Sequence, residues 1–81
     1  MSKLLNNAVF GRNIRKIRDS RGLTQEQTVA RMQLLGSPLS RSAYAGIELG
    51  KGNIFVSDLV ALQKIFNVDF SEFFDGVTTE R

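Results

Sequence analysis

Apolar residues recur along the chain at helical spacing, in segments separated by residues typical of helix ends. In the first segment, Phe10, Ile14 and Ile17 follow one another at spacings of four and three, which places them on one face of a helix. The pair Asn6-Asn7 supplies the candidates for its N-cap, and Gly22 is the candidate for its end. The pattern therefore predicts a first helix with one apolar stripe.

A second helix is predicted to begin after Thr24. Thr24 and Gln27 have the spacing of a capping box, in which each side chain accepts a hydrogen bond from the backbone N–H of the other residue. The helix is expected to continue to about Leu35, because Gly36 permits a left-handed helix end and Pro38 disfavours helix at the residue before it.

A third helix is predicted from its cap at Ser40 to about Leu49. Tyr44 and Ile47 are expected to point inward, with Leu39 packing onto Tyr44 across the helix start. The outward face is then formed by a short polar and small-residue set: Arg41, Ser42, Ala45 and Gly46.

A fourth helix is predicted after a flexible turn at residues 50–53. Its start is expected between positions 54 and 58, where Ser57 is the only good cap candidate. Its apolar face is marked by Leu59, Leu62, Ile65 and Phe66.

A short fifth helix is predicted after Asp69, with Glu72 three residues further on. Residues 76–81 are expected to form a flexible tail. No segment shows the alternation of a half-buried strand, so the pattern indicates an all-α fold of five helices. A chain of 81 residues suffices for one compact domain, which we place at residues 1–81 with its core in residues 8–74.

The composition disfavours an enzyme or a metalloprotein. The chain has no Cys and no His, and so lacks thiolate ligands as well as the commonest metal ligand and general base. We therefore expect no catalytic residues, metal or cofactor. No apolar run approaches the roughly 18 residues that span a bilayer, and the N-terminus lacks the apolar region of a signal peptide. These features predict a cytoplasmic protein without a membrane partner.

Charge is distributed unevenly along the chain. Residues 1–21 carry six basic side chains and one acidic one, whereas residues 54–81 carry two basic and five acidic ones. A basic end suits contact with phosphate, but an ordinary solvated helix surface explains the same run equally well. Most of the basic side chains of the first segment are expected to face solvent: Arg12, Arg15, Lys16 and Arg21.

Several sequence motifs occur in an order that resembles the Cro and phage-repressor (XRE) type of helix-turn-helix protein. The motifs are Phe10-Gly11-x-x-Ile14-Arg15-x-x-Arg18, then Gly22-Leu23-Thr24-Gln25-Glu26, then Ser40-Arg41-Ser42-x-x-x-x-Ile47-Glu48-x-Gly50-Lys51. The resemblance covers about residues 8–74 and implies a lambda-repressor-like domain. The connection between the second and third helices is longer than in most members of the family.

The resemblance implies roles for individual residues. Gln25, with its neighbour Thr24, matches the position that meets a DNA phosphate, which suits a helix N-terminus; the alternative for Gln25 is a solvent-exposed side chain. Arg18 and Glu48 match a salt bridge between the first helix and the recognition helix. That bridge either only joins the helices or also brings the guanidinium close to phosphate.

The third helix is expected to enter the major groove with its N-terminal residues nearest the bases. Arg41 is the leading candidate for base contact, through two hydrogen bonds to guanine; the alternative is that it binds phosphate. Ser42 can contact either a base or a phosphate, and Ala45 can contact a thymine methyl group. In the turn that follows, Lys51 and Asn53 are candidates for phosphate contact, with a plain exposed turn as the alternative.

Aromatic residues crowd the C-terminal segment, which has more of them than one short helix can bury. Phe70 and Phe74 are the candidates for a twofold homodimer interface, and a dimer would present two recognition helices to a palindromic site.

The sequence therefore predicts a sequence-specific transcriptional regulator that binds double-stranded DNA as a homodimer, with repression as the favoured role. No small-molecule effector is inferred. The rival hypothesis is a protein-interaction module, such as an antitoxin or an adaptor, that has the same fold but weak or no DNA binding. It is kept because the outer face of the third helix offers few polar groups beyond Arg41 and Ser42. RNA binding ranks third, since nothing resembles an aromatic stacking sheet.

Overall fold

The computed structural model of the protein describes residues 3–5 and 7–78, which form five helices and two short strands. The predicted helical architecture is confirmed, and the predicted helix bounds lie close to the observed ones. In chain order the elements are β1 (Lys3–Leu5), α1 (Ala8–Ser20), α2 (Gln25–Leu34), α3 (Arg41–Glu48), β2 (Asn53–Phe55), α4 (Val56–Phe66) and α5 (Phe70–Phe73).

An antiparallel ribbon of β1 and β2 adds to the architecture that the sequence predicted. Leu4 pairs with Ile54, and Leu5 pairs with Asn53. Strands of three residues are too short to show a repeating alternation, which explains why the sequence pattern did not reveal them. Asn53 was expected in a flexible turn and lies instead in β2, while Ile54 is fully buried.

One hydrophobic core receives side chains from all five helices and from β2. Ile17, predicted on the apolar stripe of α1, and Leu39, predicted to pack across the start of α3, are half-buried against this core. Burying each large apolar side chain stabilises the fold by about 1.5–3 kcal/mol before the entropy of ordering is counted. The core consists of Phe10, Ile14, Val29, Met32, Tyr44, Ile47, Ile54, Leu59, Leu62, Phe66, Val68 and Phe73.

Side-chain caps begin four of the helices at the predicted positions. The Oδ1 atom of Asn7 accepts the amide of Phe10 at 2.8 Å, which assigns the α1 cap to Asn7; the other candidate, Asn6, lies outside the described residues. The remaining caps are Thr24 for α2, Ser40 for α3 and Asp69 for α5. Because capping is local, a sequence pattern predicts it well.

The fourth helix begins at Val56, within the predicted range of 54–58, but Ser57 is not its cap. The N-cap position is Phe55, whose amide is 3.4 Å from Oδ2 of Asp58. The other carboxylate oxygen of Asp58 accepts a hydrogen bond at 2.9 Å from the hydroxyl of Ser37, and both side chains are buried. This contact ties the connection between α2 and α3 to the start of α4. It joins residues 21 positions apart, so local spacing could not indicate it.

Hydrogen bonds from α1 hold the C-terminal elements in place. The Nε atom of Arg21 donates to the carbonyl of Phe66 at 2.7 Å, so this exposed side chain also caps the end of α4. The side-chain amide of Asn13 donates to the carbonyls of Phe73 and Asp75 at 2.9 and 2.8 Å. These contacts fix α5 against α1.

The start of the predicted tail, residues 76–81, is held against the rest of the fold at Val77. The amide of Val77 donates to the carbonyl of Phe74 at 2.9 Å, and its side chain is half-buried against the core. The apolar contact explains why this residue is held. Residues 79–81, the remainder of the predicted tail, lie outside the described residues.

Within the described part of the chain, no helix is both long and apolar enough to cross a bilayer. The same residues contain no cluster of three or more acidic side chains arranged to hold a metal ion.

The first helix crosses the third at two glycines. A Cβ atom at Gly11 would lie 2.5 Å from the carbonyl oxygen of Ile47 and 2.8 Å from that of Glu48. Gly50 has a φ of +78°, and a Cβ atom there would lie 2.7 Å from the Cα atom of Ala8. Glycine at both positions therefore lets the start of α1 rest directly on the end of α3, and backbone contact sets the distance between the two helices.

The substitution Gly11→Ala is expected to lower the free energy of unfolding by about 1–3 kcal/mol, because α1 and α3 must separate to admit the methyl group. Gly46→Ala, within α3, is the matched control. Its Cβ would lie 3.8 Å from the nearest atom, the carbonyl oxygen of Lys51, so stability should stay the same or rise by up to about 1 kcal/mol. Urea unfolding measures both. Equal losses in the two variants would contradict the role of Gly11.

Candidate nucleic-acid interface

The N-termini of α2 and α3 lie side by side on one surface. Glu26 in the first turn of α2 and Arg41 in the first turn of α3 are 3.6 Å apart, measured from Oε1 to Nη1. Both side chains are exposed, so the ion pair contributes little to stability. The contact nevertheless places side chains of both helix starts on one surface, within reach of a single extended ligand.

The start of α2 is rigid and has the character of an anion site. Oγ1 of Thr24 accepts the amide of Gln27 at 3.0 Å, and Oε1 of Gln27 accepts the amide of Thr24 at 2.9 Å, so the predicted capping box is present. The first-turn amides of Gln25 and Glu26 have no acceptor within the helix. Those amides and the positive end of the helix dipole favour an anion such as a phosphate oxygen.

A buried ion pair connects α1 to α3. The guanidinium of Arg18 donates to Glu48 through Nε at 2.6 Å and through Nη2 at 3.0 Å. Its third nitrogen, Nη1, donates to the carbonyl of Leu23 at 2.7 Å. The side chains of Arg18 and Glu48 are only 10% and 3% exposed. Of the two alternatives for Arg18, the geometry matches the one in which it joins the helices, because its nitrogens already have acceptors inside the protein.

Gln25 joins the same network, which the sequence did not indicate. Its Nε2 atom donates to Oε1 of Glu48 at 3.0 Å, so the half-buried side chain links the start of α2 to the end of α3. The remaining side-chain N–H and the backbone amide of Gln25 are the groups left for a phosphate. The 23 positions between the two residues explain why the contact was missed.

The network holds its charges in fixed states. Burial alone would raise the pKa of Glu48, but the hydrogen bonds from Arg18 and Gln25 and the adjacent Tyr44 hydroxyl hold that pKa below its ordinary value. The Glu48 hydrogen bond raises the pKa of Arg18. Burial raises the pKa of Tyr44, and the adjacent Glu48 carboxylate raises it further. The Tyr44 hydroxyl is buried and forms no hydrogen bond of good geometry with the described residues. At neutral pH the centre is therefore an ion pair beside a neutral phenol.

The outer face of α3 has a polar start and an apolar end. Arg41 and Ser42 are exposed in the first turn, directly after the Ser40 cap, whose Oγ accepts the amide of Ala43 at 3.1 Å. Ala45 is half-buried one turn further along. Leu49, which is 64% exposed, follows at the C-cap. The residues with base-reading chemistry thus lie beside the start of α2.

The turn after α3 is braced, which corrects the prediction of a flexible turn. Gly50 is held against Ala8, and Asn53 pairs with Leu5 in the ribbon. Lys51 and Asn53 are both exposed. The two candidates for phosphate contact therefore project from a supported backbone.

The two phenylalanines predicted for an interface remain partly exposed, whereas the other two aromatic side chains of the segment are buried. Phe70 is 41% exposed and Phe74 44%, while Phe66 and Phe73 are fully buried. The ring of Phe74 packs 5.2 Å from that of Phe10, and the ring of Phe70 lies 6.4 Å from that of Phe73. The exposed rings thus form an apolar patch on α5 and at its end.

Comparison with known families decides what this arrangement of helices is. The sequence matches the profile of the helix-turn-helix family HTH_3 over residues 14–73, a segment that contains α2, α3 and the turn after them. The chain belongs to this helix-turn-helix family. It is a DNA-binding transcription regulator of the Cro/C1 (XRE) type.

A solved structure supports the same assignment for this helix-turn-helix protein. It is similar to the restriction-modification controller protein C.AhdI from Aeromonas hydrophila, with a TM-score of 0.71 and 27% sequence identity. The similarity covers 83% of this chain and 94% of that chain. No curated protein matches the sequence significantly.

Acid is expected to destabilise the helix-turn-helix protein through Glu48. The pKa of Glu48 in the folded protein lies below its unfolded value of about 4.5. The ionised carboxylate therefore stabilises the fold fully above pH 4.5, and this stabilisation is lost as the pH falls through the folded-state pKa. Glu48→Gln should be less stable at neutral pH, because Arg18 loses its charged partner, and should lose less stability on acidification. Chemical unfolding at a series of pH values measures the slope.

The exposed Glu26 provides the control. Glu26→Gln removes the same charge from the surface and should leave the pH dependence close to that of the wild type. If Glu48→Gln kept the full acid dependence, the Arg18–Glu48 pair would not be its source.

Proposed function

We propose that this helix-turn-helix protein is a sequence-specific repressor that binds double-stranded DNA as a homodimer, with α3 in the major groove. The observation that carries the proposal is the adjacency of two helix N-termini, marked by the 3.6 Å contact between Glu26 and Arg41. One start has chemistry for phosphate and the other has chemistry for bases. A recognition helix contacts base edges with its N-terminal residues, so phosphate contact at α2 would aim α3 into the groove.

Phosphate contacts are proposed on both sides of α3. On one side they are the first-turn amide of Gln25 and the hydroxyl of Thr24, which can donate its proton while its oxygen accepts from Gln27. On the other side they are the exposed side chains of Lys51 and Asn53. Contacts of this kind set position and orientation on the duplex but carry no sequence information.

Arg41 is proposed to read a base, with Ser42 and Ala45 beside it. To reach guanine, Arg41 must leave Glu26, which costs at most about 1 kcal/mol because the pair is solvated. Two hydrogen bonds to guanine give about 1–3 kcal/mol of discrimination, so the exchange favours the DNA complex. Ser42 can add a hydrogen bond, and the methyl group of Ala45 can contact a thymine methyl group.

Repression is the proposed outcome because it needs only occupancy of a promoter. The contacts proposed above place the domain on DNA without a catalytic step or an effector pocket. The similarity to a protein described as a restriction-modification controller supports a regulatory role. A DNA partner also places the protein in the compartment that holds the DNA, in keeping with the expected cytoplasmic location.

One observation favours the rival function, a protein-interaction module of the antitoxin or adaptor kind. Ala45 and the exposed Leu49 make the second half of the α3 surface apolar, where a DNA reader would place polar groups. Such a surface suits a protein partner as well as thymine methyl groups.

Selection from a pool of random DNA duplexes is expected to give the wild-type chain a defined site. Arg41→Ala should lose the preference at one base pair in each half-site, because the two hydrogen bonds to guanine are gone. An unchanged preferred sequence in this variant would contradict base contact by Arg41.

Lys51→Ala is the matched control, since it removes a cation from the same surface. It should keep the preferred sequence, weaken all sites alike, and reduce the slope of log affinity against log salt by about 0.9 per protomer, or about 1.8 for the dimer. If the wild-type chain fails to bind DNA, or binds with no dependence on salt, the protein-interaction module is the better proposal.

The homodimer is proposed to form through Phe70 and Phe74. Both rings are partly exposed, and the nearby groove between α1 and α5 is lined by Lys16 together with Glu72 and Asp75. A twofold axis brings the same surface of two copies together, so a patch with charges of both signs can be self-complementary. Two copies would then present two α3 helices about 34 Å apart, one turn of DNA.

Phe70→Ser is expected to shift the chain toward monomer at a given concentration without unfolding it. Phe70 is the better target, because Phe74 also packs on Phe10 within the protomer. Sedimentation equilibrium over a range of concentrations measures the effect, and Leu34→Ser, which removes an exposed leucine elsewhere, is the control. A wild-type chain that stays monomeric at high concentration would refute the dimer.

A further inference from the structure

A second apolar surface lies at the far end of α2, away from the residues proposed to bind DNA. Leu34, the last residue of α2, is 87% exposed, and the following Leu35 is 53% exposed. Single exposed leucines are common on proteins, but these two border a groove that continues along α4. We call it the α2–α4 groove; it is lined by Arg31, Leu34, Leu35, Ala61, Lys64 and Ile65.

The two leucines are held in place by the backbone. The amide of Leu35 donates to the carbonyls of Arg31 and Met32 at 3.2 and 3.0 Å, and Gly36 ends the helix with a φ of +94°. The buried Ser37–Asp58 hydrogen bond anchors the residues that follow. The exposure of Leu34 and Leu35 is therefore a property of an ordered helix end.

The fourth helix presents apolar side chains on two faces. Leu59, Leu62 and Phe66 point into the core, while Val60 is 37% exposed and Ile65 is half-buried. Apolar side chains on a second face of a helix are more often covered by a neighbour than left to solvent. Across the groove, the outer face of α4 lies opposite Arg31, Leu34 and Leu35 at the end of α2.

The rim of the groove is positively charged. Arg31 and Lys64 both line it and are exposed, and neither forms an ion pair with another described residue. Asp58, which lines the adjoining surface, is buried and accepts the Ser37 hydrogen bond. A ligand in the groove therefore meets an apolar floor between two unpaired cations.

We propose that the α2–α4 groove binds an amphipathic helix of a partner protein, with bulky apolar side chains on one face and carboxylates beside them. A groove between two helices fits a third helix, whose apolar residues enter at helical spacing. Carboxylates at the edges of that face meet Arg31 and Lys64, which gives the complementarity of charge that selects partners.

A second copy of this chain fits the groove poorly. A twofold axis through it would bring Arg31 and Lys64 of one copy against the same two cations of the other. Like charges across an interface oppose association. The surface proposed for the dimer differs, because the groove between α1 and α5 there is lined by Lys16 together with Glu72 and Asp75.

The partner helix and DNA can be bound together. Gln25 begins α2 and Leu34 ends it, so the proposed phosphate site and this end of the groove lie nine positions apart, about 13.5 Å along the helix. The groove is thus proposed as the place where a regulator bound to DNA meets another protein.

A display selection tests the proposal with defined probes. A library of designed helical peptides would carry Leu, Ile, Phe or Met at four positions of one face, and Glu, Lys or Ser at the positions beside that face. The bait is the full chain, and peptides that also bind the Leu34→Ser, Leu35→Ser double variant are removed. We expect enrichment of bulky apolar residues together with Glu at the flanking positions.

The strongest peptide is then measured by fluorescence anisotropy. Its affinity should fall at least tenfold for the double leucine variant. It should fall by a similar factor for the charge-reversed double variant Arg31→Glu, Lys64→Glu. A second peptide, with Lys in place of each Glu, should bind the charge-reversed variant better than the wild type. Leu49→Ser is the control for general apolar adhesion and should leave the affinity unchanged. DNA binding by Leu34→Ser should match the wild type, which separates this site from the proposed DNA surface.

Several results would overturn the proposal. The first is that no selected peptide needs Leu34 and Leu35 for binding. The second is that the flanking positions are enriched in Lys or show no preference for charge. The third is that Leu49→Ser lowers the peptide affinity as much as the double leucine variant does. Self-association that is lost in the double leucine variant would assign the groove to a second copy instead. Binding to vesicles of anionic lipid with the same dependence on Arg31 and Lys64, and no peptide binding, would assign it to a membrane surface.

Discussion

The burial of one carboxylate against one guanidinium determines how the rest of this structure is arranged. Burying a charge costs several kcal/mol unless a partner with good geometry meets it, so Glu48 at the end of α3 can be buried only if Arg18 of α1 reaches it. Gln25 at the start of α2 donates to the same carboxylate. Three helices are therefore held by one group, and the orientation of α3 follows from it.

Close backbone packing makes this arrangement rigid. Gly11 allows α1 to lie on the last turn of α3, beside Glu48 itself, and Gly50 allows the following turn to lie on the start of α1. The charged network and the glycine contacts act on the same crossing. A surface helix that has to present two or three side chains to a ligand benefits from such support, because small changes in its angle would displace those side chains from base edges.

The molecule offers surfaces of different chemistry at different places. The starts of α2 and α3 combine free amides with Arg41, the α5 patch combines exposed phenyl rings with charges of both signs, and the α2–α4 groove combines leucines with cations. These surfaces need not compete, because α2 separates the first from the third along its length. The three surfaces draw on different parts of the fold, and only the first and third share a helix, α2.

The sequence by itself determined the helices, their caps and the helix-turn-helix assignment, because these depend on residues within a few positions of one another: Asn7 with Phe10, Thr24 with Gln27, and Ser40 with Ala43. It also placed Arg18 and Glu48 as partners, through resemblance rather than geometry. Only the tertiary structure decided the β ribbon, the Asp58 contacts that replace a Ser57 cap, the Gln25–Glu48 hydrogen bond and the exposure of Leu34. Apart from the contact of Asp58 with the amide of Phe55, which spans three positions, these features depend on residues far apart in the chain. Packing and the need to pair buried polar groups bring those residues together.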